Sequence, residues 1–228
     1  MVKKARNRAK GEVVALVGAS LLLTAGLVAA CFVAPTEKTM GGVQRIMYLH
    51  VAVAWFALMA FAGTAAGGAT YLVRRNLIWD AWAQAAAELG WVCCSLMLLT
   101  GSLWARKAWG TWWTWDPRLT AAFVLWGIYS GYLIVRSSVE EPHQRARISA
   151  VLAIVGVVDI PLVILATRWF RGIHPAAPQM EPSMRAVLLL CVAGLSAFLS
   201  LLVWQRQRQL DHERLVGLLR ARVQDRVF

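Results

Sequence analysis

Six stretches of the chain are apolar almost without interruption, over residues 13–34, 46–73, 89–105, 119–135, 148–167 and 186–204, and polar residues collect between them. Each is close to the roughly 20 residues that a helix rising 1.5 Å per residue needs to cross about 30 Å of hydrocarbon. The pattern predicts an all-α integral membrane protein with six transmembrane helices, forming a single membrane domain over 1–228. A basic leader at 1–11 precedes the first span, and a tail at 205–228 follows the last. In that tail Leu210, Leu215, Leu218, Leu219 and Val223 alternate with Arg, Gln and Asp, which predicts an amphipathic helix lying on the membrane surface or against a partner. The first stretch exceeds the 7 to 15 apolar residues of a cleavable signal and has no small-x-small site before Pro35, so it reads as a retained span.

Local punctuation sharpens the picture. Asp116 followed by Pro117 predicts an N-cap and first-turn proline opening the fourth helix, and Ser183 a cap for the sixth. Gly63, Gly67 and Gly68 mark a face where the second helix meets a neighbour closely. Asp80, Gln84 and Glu88 recur every four residues and share one side of the third helix.

Composition agrees with the membrane reading: 59% hydrophobic and 16% charged residues exclude an ordinary soluble domain of this size. An even number of spans puts both termini on one side. That side holds 16 of the 24 Lys and Arg residues and the other holds 8, so both termini are expected to face the cytoplasm. The net charge of +12 is then a topology signal suited to anionic membrane lipids, with no nucleic acid implied. Cys31, Cys93, Cys94 and Cys191 lie in or at the ends of spans without a Cys-x-x-Cys pair, which excludes a thiol oxidoreductase and covalent c-type haem attachment.

The eight outward cations oppose the charge bias and gather in the same outer loops as an unusual aromatic run. Five of twelve tryptophans fall within Trp104-Ala-Arg-Lys-Ala-Trp109-Gly-Thr-Trp112-Trp113-Thr-Trp115-Asp116-Pro117-Arg118, which is predicted to form an outer loop between helices 3 and 4. Interfacial belts scatter tryptophan over many helix ends, whereas this cluster offers large flat apolar faces in one place. His143 and His212 fall on the cytoplasmic side as solvated residues. His50, about five residues inside the outer end of helix 2, and His174, in the loop after helix 5, fall on the outer side. Two neutral imidazoles can ligate a haem iron axially, the tryptophans can bed the porphyrin, and Arg106, Lys107, Arg118, Arg168 and Arg171 are candidates for its propionates. Met40, Met47 and Met180 are also outward and compete as iron ligands or serve as filler. Asp159, two residues before Pro161, reads as a carboxyl hydrogen-bonded in the bundle interior, with shaping of helix 5 to aim His174 as the alternative.

The run Trp109-Gly-Thr-Trp-Trp-Thr-Trp-Asp-Pro-Arg-Leu-Thr120 resembles the tryptophan-rich "WWD" signature of haem-handling membrane proteins. With six spans the chain resembles the haem exporter protein C family (CcmC) of bacterial cytochrome c maturation over nearly its whole length. The resemblance implies transient, non-covalent haem b at the periplasmic face, with His50 and His174 as axial ligands and no catalytic residues, the chain being a haem transport component and no enzyme. It implies Trp109, Trp112, Trp113, Trp115, Asp116, Arg118, Arg106 and Arg171 around the porphyrin. It further implies delivery to a periplasmic haem chaperone, and a complex with an ABC-type ATPase, its membrane subunit and a small single-span membrane subunit. Two other classes stay open on the residues alone: a b-type electron-transfer subunit, and a structural subunit whose loop docks a partner without haem.

Overall fold

The computed structural model describes residues 2–38, 40–170, 172–174 and 180–227. Among these residues are six long helices: α1 (Val2–Val28), α2 (Ile46–Arg74), α3 (Leu77–Ala108), α4 (Pro117–Ser138), α5 (Pro142–Trp169) and α6 (Pro182–Val227). All six are long and apolar enough to cross a membrane. The helices overrun the apolar stretches because amphiphilic turns extend them beyond hydrocarbon. Asp80, Gln84 and Glu88 lie inside α3, and the helix of α1 starts within the basic leader.

The boundaries follow from local chemistry. Asn76 and Asp116 accept hydrogen bonds from Ile78 N (3.0 Å) and Leu119 N (2.9 Å), opening α3 and α4 with otherwise unpaired amides satisfied. Glu141 accepts from the backbone N–H groups of His143 (2.8 Å) and Gln144, which hold its carboxyl below its ordinary value. The sixth helix starts at Pro182, one residue ahead of the expected Ser183 cap, with Arg185 N bonded to Glu181 O at 3.0 Å. It then runs unbroken for 46 residues, about 69 Å at 1.5 Å per residue. The helix thus continues from the last span through the tail to Val227.

The second helix is the centre of the bundle, packed on α3, α5 and α6, while α1 lies along α6 and α4 along α5. Without a hydrophobic drive inside lipid, such contacts depend on close backbone approach and on polar bonds. A Cβ on Gly67 would come within 3.1 Å of Ala83 and the Trp79 carbonyl, and one on Gly68 within 3.0 Å of Ala150 Cα; Gly63 faces open space. Between α1 and α6, a Cβ on Gly194 would lie 2.9 Å from backbone atoms of Leu22 and Leu23. Tyr129 stacks on Phe61 at 3.6 Å and donates to the Phe61 carbonyl at 3.0 Å, fastening α4 to α2.

The N-terminal part of α1 and the C-terminal part of α6 lie at one end of the bundle, where Arg208 of α6 meets Glu12 of α1 at 2.5 Å. The same end holds the face predicted on α3. Arg136 of α4 grips Asp80 with two hydrogen bonds, at 2.6 and 2.9 Å, and donates to Gln84, while Arg206 of α6 reaches Glu88 at 2.6 Å. His143 is exposed there, with Nδ1 3.1 Å from the Tyr71 hydroxyl. The α3–α4 loop closes the opposite end, so ion pairs fasten one end and aromatic rings the other.

Candidate functional site

The loop from Trp109 to Asp116 is built around a reversal at Gly110, whose φ of +75° suits a residue without a Cβ. Its path is pinned by side chains that donate to its carbonyls: Arg106 to Gly110, Ser102 to Trp112 at 2.8 Å, and Thr111 to Trp113 at 3.0 Å. Trp109 then leans edge-on against the buried Trp104 at 4.8 Å and against His174 at 6.1 Å. The loop is held against the helices with its rings in fixed relation.

Under it lies a cleft lined by His50 and Met47 of α2, Met97 and Gly101 of α3, Trp109, Trp112 and Trp113 of the loop, Arg118 of α4 and His174 of the segment after α5. The enclosed space is about 100 Å³ within a wider opening of about 800 Å³. The indole nitrogens of Trp104 and Trp113 are buried and have no hydrogen-bond partner among the described residues. The chemistry is a wall of π-faces, two imidazoles and one guanidinium in an otherwise apolar site. Such a donor set fits iron porphyrin, whose metal takes imidazole nitrogen and whose carboxylates take arginine.

The expected site residues divide into three groups. His50, His174, Trp109, Trp112, Trp113 and Arg118 converge on the cleft. Trp115, Asp116 and Arg106 stand beside it. Trp115 is 70% exposed and packs edge-on against Trp113 (5.7 Å) and Phe123 (6.0 Å). Arg106 lies over the outer Trp112 ring at 6.0 Å as it bonds the loop. Asp116 caps α4, and its Oδ2 lies where a Cβ on Gly172 would come within 3.1 Å, so it marks the point at which the segment bearing His174 presses on the tryptophan loop. Arg171 lies outside the described residues. Lys107 and Arg168 are exposed and do not line the cleft. Among the three methionines, Met47 is the one that lines it.

Asp159 is elsewhere, beside a groove of about 440 Å³ between α4 and α5 that Trp115, Thr120 and Phe170 also line. Its Oδ2 has no hydrogen-bond partner among the described residues, in contrast to the bonded carboxyl expected there. Thr100 and Gly101 of α3 were not among the expected site residues. His50 Nδ1 lies 3.1 Å from Thr100 Oγ1, and a Cβ on Gly101 would sit 2.9 Å from His50 Cε1. Nothing in sequence spacing distinguishes these two from ordinary packing positions, since only the pairing of α2 with α3 brings them to the imidazole.

The fold and cleft define a multi-pass membrane protein of six long helices with an imidazole-bearing, tryptophan-walled site at one end of the bundle. Comparison with known sequences is consistent along the chain. The profile of the heme exporter protein C family matches residues 4–221, and the chain belongs to that family of inner-membrane proteins. It is 36% identical over 161 residues to heme exporter protein C of Bradyrhizobium diazoefficiens, covering 71% of this chain and 61% of that protein. With the Paracoccus denitrificans protein of the same name it shares 34% identity over 211 residues, 89% of this chain and 87% of the relative. The Escherichia coli protein is 30% identical over 194 residues, 83% of this chain and 79% of its own length.

Proposed function

We propose that this protein holds haem b non-covalently at the periplasmic edge of the inner membrane and hands it to a periplasmic haem chaperone for cytochrome c maturation. The observation that carries this reading is the convergence of His50 and His174, 124 positions apart, on one cleft with Trp109, Trp112, Trp113 and Arg118. In this reading both imidazoles ligate iron, the indoles bed the macrocycle and Arg118 holds a propionate. Trp115, Asp116, Arg106 and Arg171 act at the rim, by shaping the loops or meeting the second propionate. Membership in a family named for haem export supports haem as cargo, and the excess of Lys and Arg at the terminal end supports an outward-facing cleft.

The cleft encloses about 100 Å³, well short of the roughly 300 Å³ or more of sites that engulf a ligand. In this reading haem is gripped along part of its surface and leaves an edge for an acceptor. The chain makes and breaks no porphyrin bond. It works as the haem-presenting subunit beside an ABC-type ATPase, its membrane subunit and a small single-span subunit. Asp159 and the terminal end lie away from the cargo.

Absorbance of the purified protein tests the reading. The wild type should carry a bis-histidine Soret and α/β spectrum that is lost or altered in both His50→Ala and His174→Ala, with haem passed to an added acceptor. An unchanged spectrum in either variant removes that residue from the ligand set. Haem that cycles between redox states and never leaves would favour a b-type electron carrier instead, and a haem-free wild type expressed with ample haem would favour a docking subunit.

A further inference from the structure

The histidine on α2 is held by α3 in a way that selects one of its two neutral forms. Thr100 Oγ1 lies 2.7 Å from the Leu96 carbonyl and 3.3 Å from that of Met97, the back-bonding geometry of a helical threonine, so its single proton is spent on its own helix. The oxygen can then meet His50 Nδ1, at 3.1 Å, only as an acceptor. Beside them Gly101 leaves the space into which the ring fits: an alanine methyl there would lie 2.9 Å from Cε1 and 3.4 Å from Nδ1. The adjacent pair Thr100-Gly101 thus supplies an acceptor and a slot to one imidazole.

We propose that Thr100 is a positioning residue that fixes the proton of His50 on Nδ1, leaving Nε2 as the lone-pair donor to iron, and that Gly101 sets the tilt of that ring. The inference rests on haem as the cargo for its consequence, while the tautomer is a property of the protein without haem. A ligating histidine whose other nitrogen donates to a fixed acceptor is held in orientation and made more basic, and loss of such an acceptor costs about 10- to 100-fold in metal affinity. Helix α3, which contributes no ligand, would in this way govern how tightly α2 grips the cargo.

Two measurements on the full chain test this, one independent of haem. With ¹⁵N-histidine in the haem-free protein, His50 should show a protonated Nδ1 and a bare Nε2, Thr100→Val should release that preference, and Thr100→Ser should keep it. Titration with haem should then give about 10- to 100-fold weaker retention in Thr100→Val, recovery in Thr100→Ser, and weaker retention in Gly101→Ala through displacement of the ring. A wild-type His50 protonated on Nε2 overturns the proposal whatever the cargo. So does a Thr100→Val protein that changes tautomer but binds haem as the wild type does. If His50→Ala leaves the haem spectrum intact while the tautomer behaves as expected, the cargo reading of His50 fails and the positioning role toward iron fails with it, leaving the Thr100 contact purely structural.

Discussion

Replacing Asp80 with alanine should destabilise the bundle more than any surface ion pair does, because it strands a charge. Arg136 and Asp80 side chains are 5% and 9% exposed, and their two parallel hydrogen bonds join α4 to α3. Without the carboxylate, the guanidinium retains the Gln84 carbonyl and the face of Tyr132, 5.9 Å away, and neither neutralises it. Breaking one side of a buried pair costs about 3–5 kcal/mol, whereas replacing both partners with apolar residues of similar size is close to neutral. The expected order is therefore Asp80→Ala far below wild type, with Asp80→Leu/Arg136→Met near it. Unfolding followed by tryptophan fluorescence in mixed micelles reads both, and a double-mutant cycle isolates the pairwise term. An Asp80→Ala protein within about 0.5 kcal/mol of wild type, or a cycle in which the two changes simply add, would show that water or lipid headgroups reach Arg136 and that the pair is not what joins these helices.

Two further outcomes follow from local geometry. Valine at Gly194 must displace the backbone of α1 at Leu22 and Leu23, and should cost about 1–3 kcal/mol in the same unfolding assay. Gly127→Ala, with open space around it, should be neutral or stabilising by up to about 1 kcal/mol; equal losses in both would refute the close-approach reading. Glu141 has its carboxyl held below its ordinary value by the amides of His143 and Gln144, so its contribution is present above the unfolded value and is lost as pH falls through the lower, folded one. Scans of thermal midpoint against pH should show a wild-type decline below about pH 4 that is shallower in Glu141→Ala, and parallel curves would remove this cap from the acid response.

How much of this protein its sequence disclosed depends on the range of the interaction involved. Six spans, the capping of α4 by Asp116 and the shared face of Asp80, Gln84 and Glu88 are local matters, governed by helical periodicity and by the hydrophobic thickness of a bilayer. The cluster from Trp109 to Trp115 is likewise contiguous and therefore visible, as were the two histidines on the side it shares. Contacts between distant segments were decided by packing. Only the bundle brings His50 and His174 to one cleft, turns Trp115 outward while Trp113 lines the cavity, and sets Thr100 and Gly101 of α3 against an imidazole of α2. Helix α6 continues through the tail, where amphipathic spacing predicted a helix on the membrane surface or against a partner. Side-chain spacing along one helix is dictated by 3.6 residues per turn, but which residue a side chain meets across an interface depends on where two backbones can approach, and that is set by small residues scattered over the whole chain.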